Sequence, residues 1–506
     1  MTIRTGAEYI ARLKATPREV WLKGERVDDV TTHPALQGPI EQIARLYDMQ
    51  HDPQTRDILT RDYEGVRTPV SFIPPKSYED LVARRKAFQV VADATFGLMG
   101  RSPDFLNTTL MALAQAPEVF AKGGAQYGEN IVRYYEYVRE NDLFLTHALL
   151  APQTDRTQAS SAQAQDFLHM GVVRETEEGL IMRGARMLAT LAPLADELLV
   201  YNAPGLKPGD EAYCTVFAIP IDSPGLKLIT REPFDDGTRN SFDHPLSSHF
   251  EEADSLLVFD DVLVPWDRVF VHNDVALSNS LYVDSKLRQH TGHQTGVRGL
   301  TKMEFITGIA MKLSQSVKID QFQHVQQKLG EAIAATEICR ALVIAAETSF
   351  QVDEHGVVWP DFNSLQTLRM HLSSSYPKIS ELLQTLGAGG YLMMPSAEDF
   401  VGPIAGDIEK YLQGAGGMPA EERVRLYKLA WDLCGDGFGQ RTLQYERYYA
   451  GDPVRLLAAN YLSYNKDRAF SLVDAALSLS GTPAEALAEK KAQREAREAV
   501  GAGSPA

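Results

Sequence analysis

The sequence predicts an α+β fold in three parts: a helical part, a β-rich part and a second helical part. Residues 1–145 have apolar side chains at helical spacing, whereas residues 160–275 contain short runs of β-branched and aromatic residues between turn residues. From about residue 285 the helical spacing returns in long segments. This double change of period along the chain is the main observation behind the predicted fold class.

The first part is expected to consist of helices joined by polar loops that contain proline. Helices are predicted over residues 7–13, 38–48, 77–97, 105–115 and 131–138. Ser102 or Asp104, beside Pro103, is expected to cap the helix that begins near residue 105. Arg101 therefore lies in the turn before a helix N-terminus, where it is either free to bind an anion or an ordinary surface arginine.

The second part is expected to be a compact β-barrel or sandwich of about 120 residues, because its strands are short and numerous. Strands are predicted over residues 179–184, 197–201, 213–220, 226–229 and 255–260. Residues 184–190 are expected to leave a strand through small residues, so that the Thr190 hydroxyl can approach a planar ligand. A strand end that merely turns explains the same residues equally well.

The third part is expected to be a bundle of long helices. Helices are predicted over residues 299–315, 321–351, 363–386, 420–433 and 456–480. The resulting domain limits are 1–150, 151–280 and 281–480. The tail 481–506 is rich in alanine, glutamate and lysine and is expected to be disordered.

Composition excludes several classes of function. The 506 residues include 50 Lys and Arg against 67 Asp and Glu, a formal net charge of −17, so nucleic acid is not expected as a partner. No apolar run reaches the length of a signal peptide core or of a membrane span, so we expect a cytoplasmic protein without membrane contact. The three cysteines, Cys214, Cys339 and Cys434, are too far apart for metal-like spacing, and no metal site is expected.

Residues 141–156 are the most unusual stretch of the chain. A predicted amphipathic helix precedes them, His147 lies among apolar neighbours, and a polar turn, Gln153, Thr154, Asp155 and Arg156, follows. An imidazole and several hydrogen-bonding groups within a few residues can serve a large heteroaromatic ligand. A buried structural histidine followed by a solvated turn is the plainer explanation. No glycine fingerprint for phosphate precedes a helix, so a Rossmann-type cofactor site is not expected.

The order helical domain, β-domain and helical bundle is that of the acyl-CoA dehydrogenase-like flavoproteins, which is an analogy of architecture alone. The local motifs resemble one family, the 4-hydroxyphenylacetate 3-hydroxylases, from about residue 4 to residue 480. The segments that carry the resemblance are 100–104, 141–156, 183–190, 259–266, 290–294 and 438–453, in the same order as in the family. This resemblance implies an acyl-CoA dehydrogenase-like fold with a central β-barrel domain.

The resemblance also implies an activity. Enzymes of this family are oxygenase components of two-component monooxygenases that take FADH2 from a separate reductase and use O2. They hydroxylate a small phenol ortho to its hydroxyl group through a flavin C4a-hydroperoxide. A histidine with a pKa near neutrality would suit polarisation of the phenolic proton. A homotetramer is expected by the same resemblance.

Residue by residue, the resemblance makes Arg101 and His147 the catalytic and substrate-contacting pair. Phe105 stands where the hydroxyphenylacetate branch usually has tyrosine, which puts the identity of the phenol in doubt. His290 is a competing base and His293 a substrate-binding candidate, although His293 is equally well explained as packing near the helix predicted from residue 299. The FAD-binding candidates are His147, Ala148, Leu149, Gln153, Thr154, Asp155, Arg156, Thr190, Phe438, Gly439, Gln440 and Arg441.

Several alternatives stay open at this point. The substrate could be another phenol, such as a halophenol or a tyrosine-derived metabolite. An acyl-CoA dehydrogenase would need a carboxylate base, for which Glu446 and Asp436 are candidates. A 4-hydroxybutyryl-CoA dehydratase would need cysteines near Arg101 or His290, and none lies there in the sequence. A non-catalytic helical scaffold is the alternative from a different class.

Overall fold

The computed structural model describes residues 3–501 and divides into two compact units, which meet between Ala450 and Gly451 in the sequence. The first unit begins with helices that pack their apolar faces on one core. These helices are Gly6–Ala15, Pro34–Asp48, Arg56–Leu59, Tyr78–Ala94, Pro103–Ala114, Pro117–Ala121 and Ala125–Asn141. The helices predicted in this part are confirmed, with ends shifted by a few residues.

Two hairpins interrupt this helical part, where no strand was predicted from the sequence. Glu19–Leu22 pairs with Glu25–Val27, and Thr60–Tyr63 pairs with Val66–Pro69. Alternate residues of the first strand are buried, as expected for a strand with one face on a core. Because Glu19–Leu22 also pairs in parallel with Leu226–Thr230, the N-terminal segment is part of the central β structure. The domain limits drawn from the sequence stay a prediction.

The central β structure consists of two sheets. The six-stranded sheet has the order Glu25–Val27, Glu19–Leu22, Leu226–Thr230, Asp254–Pro265, Gly179–Thr190 and Gly171–Glu175. The four-stranded sheet has the order Val269–Val271, Val216–Pro220, Glu197–Val200 and Leu145–Ala148. An isolated bridge pairs Leu150, just after the edge strand Leu145–Ala148, with Met187 in the strand Gly179–Thr190, and so links the two sheets.

One expectation about this region was wrong. The strand predicted over residues 179–184 does not end at Gly184 but continues to Thr190. Gly184, at a φ of 108°, and Leu188, at a φ of 60°, interrupt its regular geometry. A β-bulge of this kind bends a strand without ending it. The same small residues occur at bulges and at strand ends, so the sequence alone does not distinguish the two.

The C-terminal part of the first unit is helical. Its helices are Val275–Asp284, Leu287–Ser316, Gln323–Thr348, Phe362–Gly387, Ala405–Tyr411, Ala420–Cys434 and Gly437–Tyr448, with a short hairpin of Gln351–Val352 and Val358–Trp359. The helix expected from residue 299 begins at Leu287, so His290 and His293 lie within it rather than before it. The bundle of long helices predicted over residues 299–433 is confirmed, but the single helix predicted over residues 456–480 was wrong, because two shorter helices take its place.

The second unit contains the helices Pro453–Ser463, Asp467–Leu477 and Pro483–Gly501. The last of these contradicts the expectation of a disordered tail, because its alanine, glutamate and lysine residues have high helix propensity. No residue from 451 to 501 is buried within the chain. Residues 502–506 of the predicted tail lie outside the described residues. No helix within residues 3–501 is long and apolar enough to cross a membrane.

Candidate active site

The turn that carries Arg101 is held by its backbone. The backbone N–H groups of Gly100 and Arg101 both donate to Glu252 Oε1, at 2.7 and 3.1 Å. The helix Pro103–Ala114 follows directly, with Ser102 at its N-cap position. The Ser102 hydroxyl donates to Asp104 Oδ1 at 2.6 Å instead of capping the helix backbone. Arg101 therefore projects from a fixed turn.

Arg101 and His147 form a direct pair. Arg101 Nε donates to His147 Nε2 at 3.0 Å, and His147 Nδ1 lies 2.7 Å from the Tyr201 hydroxyl. Because an arginine nitrogen only donates, Nε2 must carry the lone pair and Nδ1 the proton. His147 is thus a neutral imidazole whose Nδ1–H donates to Tyr201. The strand Leu145–Ala148 fixes the ring by pairing His147 with Leu199, beside Tyr201.

The environment of His147 corrects one expectation from the sequence. A pKa near neutrality was expected, but burial and the positive charge of Arg101 lower the pKa of His147 well below its ordinary value. Its side chain is buried, with 4% of the residue exposed. The imidazole is therefore uncharged at pH 7. It accepts hydrogen bonds readily but is a weaker base than an ordinary histidine.

Phe105 completes this group. The Arg101 guanidinium carbon lies 4.3 Å from the centroid of the Phe105 ring, and that ring meets His147 edge-on at 5.5 Å. Arg101 lies in the turn before the helix Pro103–Ala114, and Phe105 lies in the first turn of that helix. The structure thus brings three of the substrate-site candidates together in one cluster.

His290 and His293 lie in a different network. His290 Nδ1 accepts from Arg84 Nη1 at 3.1 Å, and His293 Nε2 lies 2.8 Å from Glu347 Oε1, which also accepts from Arg85. Burial lowers the pKa of both histidines. Among residues 3–501, neither forms a hydrogen bond with Arg101 or His147. His290 and His293 therefore belong to a network separate from the Arg101 and His147 pair.

The loop after His147 has the properties of a polar ligand-binding surface. Gln153, Thr154, Asp155 and Arg156 are all exposed. Gln163 holds the loop, because its Oε1 accepts from the Thr154 hydroxyl at 2.6 Å and its Nε2 donates to the Asp155 carbonyl at 3.0 Å. The loop thus has a defined conformation while its side chains face solvent.

The other flavin candidates from the β-domain are more enclosed. Ala148 is fully buried, and Thr190 donates its hydroxyl to Asp254 Oδ1 at 2.9 Å. Leu149 is partly buried, and its carbonyl accepts from Arg186 Nη1 at 3.1 Å. Beside them Leu150 is 38% exposed and Leu188 is 49% exposed, which leaves apolar surface next to the polar loop.

Of the C-terminal candidates, Arg441 contacts Glu252, the carboxylate that holds the turn of Arg101. Arg441 donates to Glu252 and, at 2.7 Å, to Asp254 Oδ1. Phe438 and Gly439 are buried, and Gln440 donates to the Cys434 carbonyl at 2.7 Å. Within one chain, Arg441 thus forms ion pairs with two carboxylates, those of Glu252 and Asp254. Sequence reasoning missed Glu252 and Asp254, although the run Glu251, Glu252, Asp254 ahead of a predicted strand was a visible signal.

Tyr201 and Tyr445 are the other residues that the sequence did not single out. Tyr201 directly follows the strand beside that of His147, and Tyr445 reaches Arg101 from the last helix of the first unit. Their partners are 54 and 344 residues away in sequence. No local pattern marks contacts of this range.

The two carboxylates considered as dehydrogenase bases are already paired. Glu446 accepts from Arg298 Nη1 at 2.7 Å and from Lys302 Nζ at 2.9 Å. Burial works to raise the pKa of Glu446, but these two cations lower it to about 2. Asp436 accepts from Arg239, which also contacts His244 Nδ1 at 3.0 Å.

Among the described residues, one group of three has ligand atoms close enough for a metal ion. It consists of His244, Asp432 and Asp436. The Arg239 guanidinium contacts both His244 and Asp436, so a positive charge already lies where the ion would bind. No cysteine belongs to this group.

Comparison with known proteins gives a consistent result. Family models described as 4-hydroxyphenylacetate 3-hydroxylase N terminal and C terminal match residues 5–271 and 278–478. A 4-hydroxyphenylacetate 3-monooxygenase oxygenase component from Thermus thermophilus is 44% identical over 92% of this chain and 95% of its own length.

Solved structures agree. The oxygenase component of a 4-hydroxyphenylacetate 3-monooxygenase, in complex with FAD and 4-hydroxyphenylacetate, has a TM-score of 0.90 at 43% identity and covers 94% of this chain and 98% of its own. A 4-hydroxybutyryl-CoA dehydratase from N. maritimus has a TM-score of 0.85 at 22% identity, covering 95% of this chain and 96% of its own, which shows a shared fold only. The predicted acyl-CoA dehydrogenase-like fold class is confirmed.

Proposed function

Since this chain belongs to the 4-hydroxyphenylacetate 3-hydroxylase family, we propose that it is the oxygenase component of a two-component flavin monooxygenase. It hydroxylates a phenol ortho to the phenolic hydroxyl group, with FADH2 and O2 as co-substrates. The products are a catechol, FAD and water. The observation that carries this proposal is the pair of Arg101 and His147, a cationic donor beside the lone pair of a neutral imidazole.

This pair suits the hydroxyl group of a phenol. Arg101 Nη2 has no hydrogen-bond partner within residues 3–501, so it is available to donate to the phenolic oxygen. The single lone pair of His147 Nε2 accepts from Arg101 Nε in the free protein, so a phenol donates its proton there by taking the place of that N–H. A nearby cation stabilises the ionised form of a phenol, and a phenolate ring has higher electron density at its ortho carbons. Electrophilic oxygen transfer is faster to such a ring.

The residues around His147 also fit a flavin. A planar tricyclic ring needs apolar surface and a few donors, which Leu150, Leu188 and the exposed loop 153–156 offer together. In addition, Arg186 Nε is buried and has no partner within the described residues. When bound as FADH2, the cofactor supplies the electrophilic oxygen after reaction with O2. Leu149, the loop 153–156, Thr190 and Arg441 are the residues that would hold it.

A separate reductase is the expected protein partner, because an oxygenase component does not reduce its own flavin. The name of the Thermus thermophilus relative implies such a division of labour for that protein. The cytoplasmic location stays a prediction.

We also expect a homotetramer. The segment 451–501 has exposed apolar side chains that a monomer would leave in water, including Tyr461, Leu462 and Leu479 at 68, 77 and 88% exposure. Light scattering on the full chain is expected to give four times the mass of one chain. A monomeric mass at micromolar concentration would contradict this assembly.

The substrate class depends on Phe105, which stands where the hydroxyphenylacetate branch usually has tyrosine. Phe105→Tyr is expected to strengthen binding of 4-hydroxyphenylacetate by up to about tenfold, because the ring lies beside Arg101 and His147 and its new hydroxyl would add one hydrogen bond to the phenol. The dissociation constant is measured by equilibrium titration. Phenylacetate, which lacks the phenolic hydroxyl group, is the control ligand, and an equal gain for both ligands would disprove a hydrogen bond to the phenol.

The proposed function is tested with the full chain, FADH2 supplied by a flavin reductase with NADH, and a panel of neutral and carboxylated phenols. A catechol from at least one phenol, in a fixed ratio to the NADH consumed, is expected. Hydrogen peroxide as the sole product with every phenol would contradict the proposal.

A further inference from the structure

We infer that Tyr445, from the helix Gly437–Tyr448, is a positioning residue that holds Arg101 in place for the phenol. The Tyr445 hydroxyl accepts a hydrogen bond from Arg101 Nη1, and its ring centroid lies 5.4 Å from the guanidinium carbon. Arg101 is therefore held on two sides, by Tyr445 at Nη1 and by His147 at Nε. This inference rests on the proposed role of Arg101.

The contact between Tyr445 and the turn is close. A Cβ atom at residue 100 would lie 2.3 Å from both Cζ and Oη of Tyr445, so only glycine fits there. The Tyr445 ring thus packs directly on the backbone that precedes Arg101. The ring sets the distance between helix and turn, and the hydroxyl sets the direction of the guanidinium.

The same helix holds the turn at a second point. Arg441, one helical turn before Tyr445, binds Glu252, and Glu252 accepts from the backbone N–H groups of Gly100 and Arg101. The neighbouring Glu446 fixes the helix through its buried pairs with Arg298 and Lys302. Removal of the Tyr445 hydroxyl alone should therefore leave the helix and the turn in place.

Removal of the Tyr445 hydroxyl takes away the hydrogen bond that it accepts from Arg101 Nη1. Without the hydroxyl, Nη1 keeps only its bond to the Gly100 carbonyl, at 2.9 Å, and the side chain gains rotational freedom. The positive charge is then less well fixed beside the phenolic oxygen. A bound phenol should ionise less readily and react more slowly.

Tyr449 offers a matched control. Its ring stacks on that of Tyr445, with centroids 5.5 Å apart and an angle of 15° between the planes. Its hydroxyl is buried and has no hydrogen-bond partner in the part of the chain that the structure describes. Tyr449→Phe thus removes the same atom from the same kind of residue, one turn further along, without removing a bond.

The test compares Tyr445→Phe, Tyr449→Phe and the parent as full chains loaded with oxidised FAD. The probe is 4-nitrophenol, because its phenolate absorbs visible light and difference spectra report both its affinity and the pKa of the bound phenol. Tyr445→Phe is expected to raise that pKa by about one unit, a tenfold loss of phenolate stabilisation. It should also lower kcat/KM with a phenol substrate about ten- to a hundredfold. Tyr449→Phe should stay within about twofold of the parent.

The outcomes separate this inference from the proposed function. An unchanged pKa of bound 4-nitrophenol in Tyr445→Phe, or equal losses in both variants, would overturn the positioning role. If the parent shifts the pKa of 4-nitrophenol but forms no catechol from any phenol, the proposed function fails while the Tyr445 comparison still holds. A parent that does not shift this pKa overturns the role of Arg101 and the inference together.

Discussion

Replacement of His147 by alanine is expected to lower the rate of phenol hydroxylation by about two to four powers of ten. The substitution removes His147 Nε2, the acceptor beside Arg101, so nothing accepts the phenolic proton. Reduced flavin still reacts with O2, and oxygen consumption should continue with hydrogen peroxide as its product. The measurement is the ratio of catechol to peroxide formed for each FADH2 consumed.

His249→Ala is a suitable control for this variant. His249 is partly buried, and its side chain forms no hydrogen bond within residues 3–501. It should leave the ratio of catechol to peroxide as in the parent. Equal coupling in His147→Ala and the parent, with loss of coupling in His290→Asn, would transfer the role to His290.

Because burial lowers the pKa of His147, the parent should keep its activity below pH 6.5 until that lowered pKa is reached.

Arg101→Ala is expected to lower kcat/KM by about two powers of ten, since it removes a charge-assisted hydrogen bond to the phenolic oxygen. The position of Arg101 before a helix N-terminus leads to a different expectation, because an arginine that binds an anion would make the loss larger for carboxylated than for neutral phenols. The structure changes this expectation, because Arg101 Nε donates a hydrogen bond to His147 and Nη1 donates one to Tyr445, which directs the guanidinium to the site proposed for the phenolic oxygen. Both classes of phenol should therefore lose equally.

Steady-state kinetics with 4-hydroxyphenylacetate and a neutral phenol of similar size decides between these two roles. Arg101→Lys is the companion variant. It keeps the charge but loses the planar fork of donors, and it should recover only part of the loss. A selective loss for the carboxylated phenol would mean that Arg101 binds the carboxylate and not the phenolic oxygen.

Much of the fold was visible in the sequence because each part has its own hydrophobic period. The helices Gln323–Thr348, Phe362–Gly387 and Ala420–Cys434 and the strand Glu197–Val200 followed, within a few residues, from spacing alone. The hairpin Glu19–Leu22 with Glu25–Val27 did not, since its strands are only four and three residues long and gain their stability from pairing with Leu226–Thr230. Such distant pairing leaves no local pattern.

The candidate site shows the same limit. Motifs led to Arg101, Phe105 and His147, which the structure brings into contact. They did not reveal the state of His147, because its tautomer depends on Arg101 and Tyr201 and its lowered pKa depends on burial and on the charge of Arg101. Nor did spacing predict Tyr445 at Arg101, since that contact joins residues 344 positions apart.

The central claim is that this protein transfers one oxygen atom from O2 to the ortho carbon of a phenol. A single-turnover experiment tests it most directly: the full chain is mixed anaerobically with photoreduced FAD and a phenol, ¹⁸O2 is added, and the product is analysed by mass spectrometry. We predict a catechol that contains one ¹⁸O atom at the new hydroxyl. Reduced flavin that reoxidises as it does free in solution, with all of the ¹⁸O in hydrogen peroxide, would contradict the claim.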